Sequence, residues 1–421
     1  MAKATVKSNS SNLNDSLKGC YGSHVKPSKM KEWLIENIMD NTNRESRITL
    51  NIMSCPGVGK TSIVKELAHT PIEWKGKKYD GFEVIDIPLA QIEEMGDILG
   101  YPVEEMKFTR NGEVKWIKAA DSLIRKLMDD GWDTDGEQRT IYAPPSWVPK
   151  EERPGVLLFD DGNRASQRII KGLMQLVQDY RTISWGIPNG WTIVFTGNPD
   201  NRFNQVTSMD TAQLSRMKFI TMVPDSKEWS VWAQENGIDS RLISFVLKYD
   251  EMMIGPERTN PRSLAEFGRA LKRYGTLDKH SFEKCMVEAH ASLDDETVDT
   301  LMVFLQKDVE LVIDPKDILD DFAKNAQKRL HDLMTRSEPR VDIVNVINDR
   351  LYAYIVSNSY KFEDKHVANV QKWILDENLP KDTAYAFVRR LCYSDSPYKR
   401  QMLSGNKDLM EIVKIGFGKM F

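Results

Sequence analysis

Apolar residues in this chain fall into two patterns. Short unbroken runs occur at Arg47 to Met53 (RITLNIM), Phe82 to Leu89 (FEVIDIPL), Val156 to Phe159 and Trp191 to Thr196 (WTIVFT). Runs of that length with no polar alternation predict strands covered on both faces, as in a parallel sheet. Between them, apolar positions recur at helical spacing: Met30, Trp33, Leu34, Ile38 and Met39 before the first strand, Lys60 to His69 after it, and Ile169, Leu173, Leu176 and Val177 within Ile169 to Tyr180. Strand alternating with helix predicts an α/β fold. Gln91 to Pro102 reads as a loop, Glu113 to Trp116 and Thr140 to Tyr142 as the arms of an inserted hairpin or short strands around a helix at Ala119 to Met128, and Arg181 to Gly190 as a hairpin-like excursion closing on Pro-Asn-Gly.

Later segments read differently. Pro224 to about Leu277 carries Trp229, Trp232, Ile243, Phe245 and Val246 at near-helical spacing, and beyond Asp278 the pattern is helical throughout, with Phe322, Ala326 and Leu330 four apart. At the other end, Met1 to about Tyr21 is rich in Ser, Asn and Lys and reads as a mobile arm. The predicted organisation is an arm over 1–27, an α/β core over 28–224, a helical lid over 225–280 and a helical docking region over 281–421.

The first strand and helix are joined by Cys55 to Gly59, a turn holding Pro56, Gly57, Val58 and Gly59 and leading into Lys60, Thr61 and Ser62. Strand, glycine loop and helix with Lys-Thr at the start form a phosphate-binding loop. Its backbone N–H groups would turn inward as an anion nest, Lys60 would reach the β- and γ-phosphates, and the Thr61 hydroxyl would ligand Mg²⁺. Ser54 stands where the pattern has its first Gly. About a hundred residues on, Asp160 and Asp161 follow an apolar strand, at the edge of an open α/β sheet where ligands sit. That placement suits Asp160 to holding Mg²⁺ and Asp161 to orienting or deprotonating the attacking water. Asp is also a favoured N-cap, which offers the pair a structural alternative at the helix beginning near Ser166. Asn198, between Gly197 and Pro199 at the end of the last strand, fits either a phosphate-sensing amide or a turn-forming Asn. Val25 and Pro27 lie either against an adenine or in simple linker packing.

Totals narrow the field. A chain of 421 residues exceeds one ordinary domain. A net charge of −4 argues against a general basic footprint for nucleic acid. Cys20, Cys55, Cys285 and Cys392 have no C-x-x-C spacing, so neither a zinc site nor a disulfide framework is indicated and a reducing, cytoplasmic setting is expected. No apolar run is long enough for a membrane span. The Lys and Arg clusters near Arg389 and Arg400 read as solvated faces.

The order of these motifs resembles the MoxR-like branch of AAA+ ATPases, including the dynein-related AAA_5 type. The similar segments are SCPGVGKTS, APPSWVP (Ala143 to Pro149), GVLLFDDGNRASQRIIKGLMQLVQDYR, IPNGWTIVFTGNP, MDTAQLSRMKF (Met209 to Phe219) and TNPRSLAEF (Thr259 to Phe267). The resemblance implies a P-loop NTPase αβα sandwich with a parallel sheet, a helical lid and an α-helical C-terminal region. It implies sensor 1 at Asn198, an arginine finger at Arg216 that reaches a triphosphate held by a neighbouring subunit, and sensor 2 at Arg262. It also implies a homo-hexameric ring hydrolysing ATP with Mg²⁺, and a von Willebrand factor A domain protein or other protein client as partner. The family has Asp-Glu where this chain has Asp160-Asp161, and the shorter side chain would stand roughly 1.5 Å farther from the water. Three functions are therefore compared: an ATPase remodelling a partner protein, a nucleic-acid-directed motor, and a slow or non-hydrolysing ATP-dependent scaffold.

Overall fold

The computed structural model describes residues 16–43, 46–200, 206–207, 209–357, 362–404 and 408–412. Most of the arm expected over Met1 to Tyr21 lies outside them. Two compact units divide the chain, one from Ser16 to Val223 and one beginning at Pro224.

In the first unit, strands β1 (Ser23–Val25), β2 (Thr49–Met53), β3 (Ile72–Trp74), β4 (Lys77–Tyr79), β5 (Glu83–Pro88), β6 (Tyr101–Arg110), β7 (Glu113–Lys118), β8 (Gln138–Ala143), β9 (Gly155–Asp160), β10 (Trp191–Gly197) and β11 (Met217–Met222) are interleaved with helices. The helices are α1 (Pro27–Thr42), α2 (Lys60–Glu66), α3 (Met95–Leu99), α4 (Asp121–Asp129), α5 (Gln167–Asp179) and α6 (Thr211–Leu214). The main sheet has six strands in the order β1-β11-β2-β10-β9-β5, and the pairs run parallel. Side chains alternate across it. Val156 and Leu158 of β9 join Met30, Leu34, Ile38 and Val64 from α1 and α2 in one layer, while Leu157 and Phe159 join Ile169, Leu173 and Leu176 of α5 in the other. This is the αβα sandwich of a P-loop fold, and the unbroken apolar runs are what covering both faces requires.

Two parts of this unit differ from the expectation. Ser23–Val25, assigned to the arm, is the edge strand, paired to β11 at Ile220, Thr221 and Met222. The insert is a three-stranded antiparallel sheet, β7-β6-β8, whose central strand is ten residues long and starts inside the stretch read as a loop. Its tip is a two-residue turn in which Asn111 and Gly112 both have positive φ, at 50° and 84°. Trp116 and Lys115 are occupied within the insert: Arg139 lies over the Trp116 ring at 4.3 Å and Lys115 over the Trp132 ring at 4.2 Å.

The second unit is helical: α7 (Ser226–Glu235), α8 (Ser240–Lys248), α9 (Pro261–Leu271), α10 (Lys279–Ser292), α11 (Asp295–Lys307), α12 (Pro315–Asn325), α13 (Gln327–Met334), α14 (Val341–Val356), α15 (Asp364–Leu375), α16 (Lys381–Cys392) and α17 (Lys399–Leu403). A lid and a separate docking region were expected here, yet one hydrophobic core runs from Trp229 to Leu409. Phe245 of α8 packs on Phe304 of α11 with ring centroids 5.9 Å apart. Buried Asp294 accepts backbone N–H groups from Arg258 at 3.1 Å and Thr259 at 2.9 Å, which anchors the turn leading into α9. Among the described residues, no helix is long and apolar enough to cross a membrane.

Candidate functional site

Parallel strands bring the C-terminal ends of β2, β9 and β10 side by side, and the site is built there. β2 passes through Ser54 into the glycine loop. Gly57 and Gly59 have φ of 76° and 98°, a region in which a side chain is strained, so glycine is needed at both. Ser54 is fully buried, and its hydroxyl donates to the Met222 carbonyl at 2.5 Å. A serine at that position therefore stitches the loop to β11, which a glycine would not do.

Lys60 turns back under the loop. It is 7% exposed, and its Nζ donates to the carbonyls of Ser54 and Cys55 and to Asn198 Oδ1, each at 3.0 Å. Burial pulls its amine down to about 8, against the opposing pull of Asp161 and other nearby groups. The Thr61 hydroxyl donates to Asp160 Oδ1 at 2.8 Å, joining the loop to the end of β9. Lys60, Thr61, Asp160, Asp161 and Asn198 thus converge on one place.

Asp161 is the first residue past β9 and has left-handed backbone, φ 50° and ψ 41°. Such a conformation is uncommon outside glycine, Asn and Asp, and it turns the carboxylate toward β10. Its Oδ1 accepts from Asn198 Nδ2 at 2.9 Å, and Arg164 Nε stands 4.0 Å from Oδ2. Neither Asp caps the following helix; the Ser166 hydroxyl does, accepting from Ile169 N at 3.4 Å.

Two residues not singled out from the sequence complete the arrangement. The Thr196 hydroxyl donates to Asp160 Oδ1 at 2.5 Å and accepts the Asp161 N–H at 3.0 Å, so one side chain of β10 holds the Asp160 carboxylate and the Asp161 backbone. Asn163 is 4% exposed and clamps the backbone of Asn198 from both sides. Its Nδ2 donates to the Asn198 carbonyl at 2.6 Å and its Oδ1 accepts the Asn198 N–H at 3.1 Å. Thr at a strand end and Asn in a turn are ordinary enough to carry no signal of their own. Only the position of each, two residues from an assigned one, marks them.

The remaining candidates are carried by other elements. Arg216 stands between α6 and β11, where Nε donates to Gln178 Oε1 at 2.7 Å and Nη1 to the Ala212 carbonyl. Thr49 pairs with Met217 and Met53 with Thr221, so Arg216 is at the opposite edge of the sheet from the loop. At about 3.3 Å per strand residue the separation is roughly 15 Å. Arg262, at the start of α9 in the second unit, has its backbone N–H capped by Asn260 Oδ1 at 3.1 Å, and its side chain is exposed.

The polar set suits a triphosphate with a divalent cation. A buried ammonium, an inward-turning loop and a hydroxyl beside a carboxylate are the donor types those groups need. Among the described residues no cluster of three or more His, Cys, Asp or Glu could hold a metal by itself. Burial pushes the thiols of Cys20 and Cys55 up to about 12 and about 11, so neither is poised as a nucleophile.

No family model and no curated protein matches the chain. Among solved structures it is similar to a RuvB mutant of Thermotoga maritima, at 15% identity over 70% of this chain and 76% of that one, with a TM-score of 0.33. A second RuvB mutant of that organism matches at 14% identity over 80% and 91%, with a TM-score of 0.32. A candidate ATPase of Cytophaga hutchinsonii matches at 12% identity over 97% and 93%, with a TM-score of 0.28. At such scores none of these likenesses carries weight, and the fold reading stands on strand order and the glycine loop.

Proposed function

We propose that the Ser16–Val223 unit binds ATP with Mg²⁺ and hydrolyses it, and that the chain works as a MoxR-like AAA+ remodeller. The observation that carries this reading is the closure of Thr61 onto Asp160 across 99 residues of chain, with Lys60 bonded to Asn198 beside it. Lys60 and the loop amides hold the phosphates. Mg²⁺, ligated by Thr61 and Asp160, would neutralise charge on the β- and γ-phosphates. Asp161 takes the proton of the attacking water, Asn198 holds that carboxylate, and Arg216 of a neighbouring copy stabilises the transferring group. The ring and its client, a von Willebrand factor A domain protein or another, follow from the family resemblance alone.

A second reading, a scaffold that holds ATP without cleaving it, is favoured by the short Asp161 side chain and its bond to Asn198. Phosphate release in a single turnover separates the two. The remodeller releases phosphate in the presence of Mg²⁺ and the scaffold returns intact ATP. Lys60→Ala is expected to weaken ATP binding by at least about a hundredfold, since charge-assisted contacts to several phosphate oxygens are lost. Unchanged binding in that variant would overturn both readings, and turnover stimulated by DNA would favour a nucleic-acid-directed motor.

A further inference from the structure

Ser16 to Tyr21, read from the sequence as the end of a mobile arm, lies against the same edge of the main sheet as the phosphate loop. Three neighbouring strands, β11, β2 and β10, are met in turn. On β11, the Thr221 hydroxyl donates to the Tyr21 carbonyl at 2.7 Å, and the Tyr21 ring stands edge-on to Phe219 with centroids 5.4 Å apart. Past β2, the Cys55 thiol donates to the Ser16 carbonyl at 3.6 Å. Past β10, Gly19 rests on the backbone of Asp200. Its φ is 88°, and a Cβ there would stand 2.7 Å from the Asp200 carbonyl oxygen. Gly22 is fitted as closely, since a Cβ would stand 2.1 Å from the Phe219 carbonyl oxygen. Leu17, 5% exposed, anchors the turn, and the Cys20 N–H closes it on the Leu17 carbonyl at 3.0 Å. Lys18 and Tyr21 are exposed.

We propose that Ser16 to Gly22 is a strap that fastens the phosphate loop to the chain past β10 and, resting on the assignment of this site to ATP, that ATP loosens it. Two glycines placed where no side chain fits show a path shaped to its surroundings. Its grip is light all the same. One buried side chain and one long thiol bond hold the turn, so opening it costs far less than unfolding the sheet. The two points fastened are those that serve Lys60. Cys55 supplies one of its carbonyl acceptors, and Asp200 is two residues past Asn198, which supplies another. In the arrangement that the strap fits, all three Lys60 hydrogens go to protein acceptors. A phosphate oxygen must claim at least one of them, which loosens the loop from the chain past β10. Linkage fixes the rest: the factor by which ATP favours the open strap is the factor by which the closed strap weakens ATP binding.

Hydrogen exchange of the full chain, with and without ATP and Mg²⁺, reads the strap without any substitution. Peptides covering 16–22 are expected to exchange at least about fivefold faster with nucleotide, and unchanged or slower exchange overturns the proposal. Two substitutions in the full chain open the strap from different ends. Leu17→Ser removes its anchor, and Gly19→Val meets both the left-handed backbone and the Asp200 carbonyl. Each is expected to bind ATP at least about fivefold more tightly in calorimetry. Equal or weaker binding in a variant that melts as the parent does overturns the strap. Alkylation of Cys55 by iodoacetamide, mapped by mass spectrometry, needs no nucleotide. The residue is 3% exposed, and freeing it should speed the reaction at least about tenfold in both variants. This readout separates the two ways of failing. Faster alkylation without ATP binding by parent or variants overturns the ATP assignment and keeps the fastening of the loop, whereas unchanged alkylation overturns the strap itself.

Discussion

Lys60 spends its three hydrogens on two loop carbonyls and one amide, and its burial leaves the ammonium poorly solvated. The consequence is a linkage between nucleotide and proton. In the free protein the amine sits at about 8, while bound phosphates favour its charged form. Below that pH the proton is already present and binding leaves it in place. As pH rises through 8, the free protein loses the proton while the complex keeps it. ATP binding must then take up a proton and weaken by up to about tenfold per pH unit. Calorimetry at pH 7 and pH 9 in buffers of different ionisation enthalpy measures this, and absence of uptake at the higher pH would count against the assignment. One strand over, the backbone of Asp161 sets a second expectation. Asn tolerates left-handed φ and keeps an acceptor for Asn198, so Asp161→Asn should fold as the parent does and bind ATP without turnover. Asp161→Val should cost about 2 kcal/mol in chemical denaturation, because β-branched side chains resist that conformation.

At the scale of elements, what was readable depended on how each strand is buried. The central strands β2, β9 and β10 are covered on both faces, and their runs of apolar residues announce them. β6 was missed because ten residues reading YPVEEMKFTR bury only Phe108, and its partners β7 and β8 supply the hydrogen bonds that its composition does not advertise. β1 is too short for any periodicity. The loop residues and Asp160 were legible because phosphate and metal chemistry restrict residue type. Thr196 and Asn163 were not, because hydrogen bonds to a neighbour restrict only geometry. Joining of the helical segments was equally hidden, since each amphipathic face shows that it is covered but not by what. Asp294 supplies a test at this scale. Removing its carboxylate in Asp294→Ala leaves the N–H group of Arg258 and that of buried Thr259 without their acceptor. The expected cost is about 3 kcal/mol, with faster hydrogen exchange over 255–262.

For the whole molecule, the position of Arg216 is the telling one. Roughly 15 Å of strand separates it from the loop of its own chain, so under the proposed function it serves only another copy. Arg216→Ala should bind ATP normally and lose about 10³-fold or more in hydrolysis, the range arginine fingers supply elsewhere. Mixing it with Lys60→Ala should restore part of the activity, because the second variant donates an intact Arg216 to a site that still holds ATP. Mixed samples as inactive as their components would remove the shared site. Asn198 carries the remaining consequence. Its carboxamide is a flat group gripped at both ends, by the Lys60 ammonium on the oxygen and by Asp161 on the nitrogen. Under the proposed function, Lys60 leaving that oxygen for a phosphate would leave the carboxamide tied by its nitrogen alone, so that filling of the cradle would be linked to the carboxylate across the width of a single side chain.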